Sequence, residues 1–261
     1  MTTAVISNYL ENKIIDHVLR NTAYTTPGTS IYIGLHTADP GEAGGGTEAS
    51  GGDYARIQVT AWDSPASRAT QNTNAINFAA ASADWGTITH IGIWDNSSGG
   101  NLLFYGALTA SKVINNGDVF SIAAGELDVS LGGAISTYLG NALLSHILRN
   151  TAYTTPGTSI YAALYTSDPT AADSGTEVSG GSYARKQITA WDAASDGATQ
   201  NTNIETFVTS TGAWGTVSHI GVRDNSSAGN LLFFGGLTAS KTMASGDIIR
   251  FLAGALDVSV S

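Results

Sequence analysis

Apolar residues near the start of the chain recur at helical spacing. Leu10, Ile14 and Val18 stand at i, i+4 and i+8 with Ile15 and Leu19 beside them, which predicts an amphipathic helix over Asn8–Arg20. Asn8, followed three residues later by Glu11, reads as its N-terminal cap. Beyond the helix the period falls to two. Ile31, Ile33 and Leu35 alternate with Tyr32, Gly34 and His36, and Leu127, Val129 and Leu131 alternate with Glu126, Asp128 and Ser130. Further strands are expected near Tyr54–Trp62, Asn74–Phe78, Thr87–Trp94, Asn101–Leu108 and Asp118–Ala123. Turn residues separate them at Asp39-Pro40, Ser50-Gly51-Gly52, Asp95–Gly100 and Asn115–Asp118. Short strands at this spacing after one helix predict a mainly β fold, an antiparallel β-sandwich of jelly-roll-like form.

The pattern then starts again. Asn21–Tyr32 recurs unchanged as Asn150–Tyr161, an offset of 129, and 75 of the 130 pairs from Thr3 to Gly132 are identical without a gap. The chain is a tandem duplication. A period this long excludes solenoid and propeller units of about 20–50 residues, so each copy is expected to carry its own core. The expected division is 1–131 and 132–261, each a sandwich preceded by a helix. In the second helix Leu139, Leu143 and Ile147 repeat the stripe, with Leu144 and Leu148 beside it. The short junction Leu131–Ile135, with two glycines, predicts copies packed as a pseudo-two-fold pair.

Charge narrows the function. Eleven basic against twenty-one acidic side chains give a formal charge of −10, which argues against a nucleic-acid binder working through phosphate neutralisation. With no cysteine there is no disulfide, thiolate zinc site or thiol nucleophile. No apolar run approaches the roughly 20 residues of a membrane span. Met1–Ala4 lacks a basic region leading into an apolar core, so a chain made in the cytosol is expected.

Catalytic motifs are weak. Gly44–Ala49 satisfies G-x-G-x-x-A, but no helix pattern follows and the second copy reads Asp173-Ser174-Gly175 there. There is no nucleophile elbow, zinc-protease helix or phosphate loop, and no cofactor is expected. His17 and His146 match across the copies, as do His90 and His219, and they read as hydrogen-bonded structural histidines at an interface or under a loop. The shared acids Asp39, Glu48, Asp63, Asp95, Asp118 and Asp128 stand mostly beside turn residues, which favours capping over glycosidase carboxylates or calcium ligation by Asp95–Asn101.

Four residues are open to two readings. Tyr54 with Arg56, and Tyr183 with Arg185, follow a Gly-Gly turn and suit either an interface hot spot or an internal salt bridge. Trp62 and Trp85 recur in the second copy and read as core. Trp94 becomes Arg223, which predicts an exposed position and the best candidate for a site peculiar to one copy. Asn96-Ser97-Ser98 and Asn225-Ser226-Ser227 are formal glycosylation sequons that read as turns.

Several strings together carry a family likeness: Arg20–Thr25 with Pro27, Asp39-Pro40, Gly46-Thr47-Glu48 with Ser50-Gly51-Gly52 and Tyr54-Ala55-Arg56, Trp85-Gly86-Thr87 with His90-Ile91-Gly92, and Gly100–Phe104 with Leu108-Thr109-Ala110. The chain resembles small tailed-bacteriophage virion proteins, usually labelled tail fibre or minor tail proteins. The resemblance implies a non-enzymatic building block of the virion, assembled in the host cytoplasm and packed against other virion proteins. Capsid decoration and receptor binding on a host-surface glycan are the alternatives. A homo-oligomer is expected, three chains presenting six repeats. The helix stripes Leu10, Ile14, Val18 and Leu139, Leu143, Ile147 are expected to contact sister chains or neighbours, together with Tyr54, Arg56, Tyr183, Arg185 and Trp94.

Overall fold

The computed structural model describes residues 3–261. Repeat 1 runs β1 (Val5–Ile6), α1 (Asn8–Leu19), β2 (Tyr32–His36), β3 (Ile57–Gln58), β4 (Ala69–Gln71), β5 (Ile76–Asn77), β6 (Gly86–Trp94), β7 (Leu102–Ile114), β8 (Ser121–Ile122) and β9 (Asp128–Ser130). Repeat 2 follows with α2 (Thr137–Leu148), β10 (Tyr161–Tyr165), β11 (Lys186–Gln187), β12 (Ala198–Gln200), β13 (Glu205–Thr206), β14 (Gly215–Arg223), β15 (Leu231–Met243), β16 (Arg250–Phe251) and β17 (Asp257–Ser259). The protein is mainly β with two helices, as its hydrophobic periods predict.

Each repeat sets one large antiparallel sheet, ordered β1-β7-β6-β2-β3 in repeat 1 and β11-β10-β14-β15 in repeat 2, beside two short ladders. The ladders are β4-β9 and β5-β8, with β12-β17 and β13-β16 as their counterparts. The second layer is thus broken into two-stranded pieces. Asn72 joins them: fully buried, it donates to the carbonyls of Asn74 and Ala123 and accepts from the Leu127 N–H, each at 2.8 Å. A buried amide with both ends engaged carries no desolvation debt.

The helices form where expected, but Ser7 caps the first one. Its hydroxyl accepts from Leu10 N and donates to Leu102 O, tying the helix start to β7, and Ser136 does the same with Leu139 and Leu231. Ser recurs in both copies, whereas Asn8 becomes Thr137. The hydroxyl that serves both partners takes the position. The strand expected over Tyr54–Trp62 shrinks to Ile57–Gln58, and that over Asn101–Leu108 extends to Ile114. β1 and β4 are too short to show an alternation.

Two separate cores are not found. One apolar cluster runs through both repeats, because each helix packs on its own large sheet and on the other repeat's ladder: α1 lies on β7 and β12, α2 on β15 and β4. Leu10, Ile14, Val18, Leu139, Leu143 and Ile147 are at most 1% exposed. These stripes are therefore closed inside the chain and offer nothing to a sister chain, a correction to the expected interface. The buried face is the one the apolar spacing predicts, but the surface it covers is in part the other copy.

Candidate functional site

The seam between the repeats is built on a pseudo-two-fold axis. His17 and His146 stack with ring centroids 4.9 Å apart. Tyr24 N–H donates to His17 Nδ1 at 3.0 Å, and Tyr153 N–H donates to His146 Nδ1 at the same distance. A backbone N–H only donates, so both Nδ1 atoms are bare and the proton sits on Nε2. Each Nε2–H then reaches across the seam, His17 to Tyr153 O and His146 to Tyr24 O, both 2.8 Å. Burial lowers both pKa values from the usual histidine range, partly offset by these carbonyl bonds; for His17 the neighbouring ring lowers it further. The pair is neutral at pH 7. Thr26 to Asn150 and Thr155 to Asn21, each 2.7 Å, complete the symmetric set.

The seam is symmetric in backbone and asymmetric in two side chains. A Cβ on Gly197 would overlap the Glu11 carboxylate, and a Cβ on Gly140 would lie 2.6 Å from Arg68 Cγ. Glu11 against Gly197 on one side thus answers Gly140 against Arg68 on the other. Arg68 also donates to the carbonyls of Gly133 and Ile135 in the junction. Burial pushes the Glu11 carboxyl up to about 7, helped by the charges of Glu42 and Asp196. The sequence marks Glu11 only as the partner of an Asn8 cap; the signal of its place in the seam lies in the reciprocal exchange at Glu11/Gly140 and Arg68/Gly197.

Tyr54 and Arg56 are internal. Tyr54 Oη accepts from Leu35 N at 2.7 Å and donates to Glu48 at 2.9 Å. Arg56 grips Glu48 bidentately at 2.8 and 2.7 Å and donates through Nη1 to the carbonyls of Asn96 and Gly99. Burial alone would raise the Glu48 carboxyl, but the Arg56 and Tyr54 hydrogen bonds and the Arg56 charge bring it below its usual value. Tyr183, Glu177 and Arg185 repeat the brace in repeat 2. Of the two readings, the internal salt bridge holds, and these four residues are not an exposed hot spot.

Trp94 is also buried, at 8% exposure, against the expectation of a surface site. The Arg56 guanidinium lies 3.9 Å from its ring centroid and His36 stacks at 5.9 Å on it. In repeat 2 the three residues change together: His36, Gly44 and Trp94 become Tyr165, Asp173 and Arg223. Arg223 bonds Asp173 at 2.9 and 2.7 Å and Tyr165 Oη at 2.5 Å. Replacement of Trp by Arg therefore reports a change of buried partner, not exposure.

Three of the shared acids cap turns. Asp39 accepts from Gly41 N, Asp95 from Asn101 N and Nδ2, and Asp118 from Asn115 N. Asp63 accepts from Thr73 and Gln71, which hold its carboxyl below the usual range. His90 sits half-buried with Nδ1 against Thr89 Oγ1, and His219 against Ser218. Among the described residues no group of three His, Cys, Asp or Glu gathers as a metal site, and no helix is long and apolar enough to cross a membrane.

These features define a class: a duplicated β block whose conspicuous polar residues brace its own fold. The chain belongs to the family described as podophage GP4 fiber I protein gp80, whose model matches it twice, over residues 5–130 and 134–259. It is thus a phage fibre-like protein in tandem-duplicated form. No curated protein matches the chain.

Proposed function

We propose that this chain is a non-enzymatic structural component of a tailed-phage virion, placed in the tail fibre or minor tail apparatus. The double match to a fibre family carries the reading. The commitment of Tyr54, Glu48, Arg56, His17 and their counterparts to internal bonds supports it, because groups locked in bidentate and two-ended contacts are not free to act as acid, base or nucleophile. With the helix stripes closed inside, contacts with sister chains and neighbours fall to the outer sheet faces and loops. Val113 and Val119 in repeat 1 and Ile204 and Val208 in repeat 2 are exposed apolar positions there. Three chains presenting six repeats would match a six-fold neighbour. Burial of Trp94 removes the aromatic on which a glycan platform would have rested.

Labelling of this chain in electron micrographs of purified particles tests the proposal. Label on the tail is the expected result. Label confined to the head would replace it with capsid decoration, and a chain found only in infected-cell lysate would overturn the structural role.

A further inference from the structure

The two repeats differ at one edge of the sandwich. In repeat 1 the segment Thr3–Ile6 fills the gap between β7 and β9. Val5 pairs with Tyr105 and Ile6 with Phe104, while fully buried Ala4 donates to Asp128 O at 2.8 Å and bridges to Val129. In repeat 2 the positions of Thr3 and Ala4 are Gly132 and Gly133, which belong to the connection between repeats. Pairing on β15 reaches back to Ala134, whose carbonyl accepts from Phe234 N at 3.0 Å. There Gly133, at φ +77°, redirects the backbone, and the Gly132 N–H goes to Ser261 O at 2.7 Å.

An open groove of about 510 Å³ is left between β15 and the β16–β17 segment, lined by Ile220, Phe233, Leu237, Phe251, Leu256 and Val258. One pair of equivalent glycines measures the difference. A Cβ on Gly106 would lie 3.2 Å from Ala4 Cα, whereas one on Gly235 would meet nothing within 4 Å. Leu252 at the groove stands 60% exposed.

We propose that this groove is a strand-acceptor site for an extended segment of a different virion protein, an inference that rests on the virion reading above. Repeat 1 supplies the template for the occupant. Ala134 and Ile135 already pair on Phe234 and Phe233, so the occupant follows on from Ala134: it must be extended, to run along β17 and donate to the Asp257 carbonyl as Ala4 does to Asp128; uncharged, to lie on the apolar lining; and small where it passes Gly235, as Ala4 is small at Gly106. A second copy of this chain is a poor occupant. Among the described residues each copy holds one such strand, Thr3–Ile6, already seated in its own repeat 1, so exchange between copies leaves as many grooves open as before.

The test uses the full chain and a fluorescently labelled peptide, Met-Thr-Thr-Ala, copied from residues 1–4 and ending before the positions that Ala134–Ser136 already hold on repeat 2. Anisotropy is expected to show saturable binding that Gly235→Val weakens about tenfold or more while the unfolding midpoint stays unchanged, since the new side chain enters open space. Equal binding by the variant, or none by the parent at millimolar peptide, overturns the site. The chain has no cysteine, so Leu252→Cys gives a unique handle for crosslinking in purified particles. An adduct with a different virion protein is expected; one of twice the chain's mass overturns the partner assignment. If the chain is absent from particles the virion reading falls, and the peptide measurement still reads the groove on its own.

Discussion

At the end of β6, repeat 1 stacks Arg56, Trp94 and His36, whereas repeat 2 holds Arg223 between Asp173 and Tyr165. At the seam the opposite holds: Asn21–Tyr32 and Asn150–Tyr161 are identical, and Asn21, Tyr24 and Thr26 meet partners across the pseudo-two-fold from their own duplicates. In a two-fold contact each surface must fit its own copy, so a change on one side has to be answered on the other. A buried site within one repeat has no such constraint and needs only its own neighbours to change with it. The copies therefore stay alike around the stacked histidines, differ elsewhere on the seam in answering pairs such as Glu11/Gly140 with Gly197/Arg68, and diverge freely where each packs alone or, at the groove, where only one is left open.

The sharpest way to break this comparison is to transplant one member of the triad without the others. Trp94→Arg would place a second guanidinium beside Arg56 without Asp173's equivalent, and removing compensation from a buried charge costs about 3–5 kcal/mol. Urea unfolding should show a loss of this size. Adding His36→Tyr and Gly44→Asp should recover most of it. Gly44 has φ +71°, and Asp173 occupies the same left-handed region at φ +55°, so the aspartate is tolerated there. A triple variant no more stable than the single one would show that the exchange is not a closed unit.

The seam allows the same test at a smaller scale. Gly197→Arg would drive a side chain into the Glu11 carboxylate at a position with φ +69°, and overpacking of this kind costs about 1–3 kcal/mol. Glu11→Gly in the same chain recreates the Gly140 and Arg68 arrangement, in which Arg68 itself holds φ +67°. Thermal unfolding of the double variant should return close to the parent. Additive losses would mean the two sides of the seam are not interchangeable.

Periodicity made the helices, the long strands and the duplication legible, because those signals depend on which residues are apolar and how far apart they stand. The destination of the helix stripe was not legible: Leu10 and Ile14 look the same whether they meet a sister chain or the other half of their own. Trp94 misled for a related reason. A Trp-to-Arg change between copies reads as exposure only if neighbours are assumed constant, and His36 and Gly44 had changed with it. Tyr54 and Arg56 were open to both readings until Glu48, eight residues before Arg56 and in a different loop, was seen to lie between them. The groove left no mark beyond Gly132-Gly133 standing where Thr3-Ala4 had been.

The smallest effect is a pair of opposed pH dependences at the seam. Glu11, raised to about 7 by burial first and by Glu42 and Asp196 next, favours its protonated form in the fold. Below its unfolded value near 4.5 it adds no penalty; as pH rises from there through 7 the seam must hold a charge, and stability falls by on the order of 2 kcal/mol. His17 and His146, lowered chiefly by burial, work the other way. Above 6.5 they are neutral folded and unfolded, and as pH falls below it the unfolded chain takes up protons that the stacked rings refuse, so stability falls. Between 4.5 and 6.5 the two trends oppose each other, and the parent should show a flatter profile than a chain without the Glu11 carboxylate. Glu11→Gln removes one limb, so its unfolding free energy should climb with pH across this window by up to about 1.4 kcal/mol per unit for each ring. His146→Phe in that background should be less stable throughout but roughly halve the slope. A Glu11→Gln profile as shallow as the parent's would mean that the imidazole clasp does not govern the seam's response to acid.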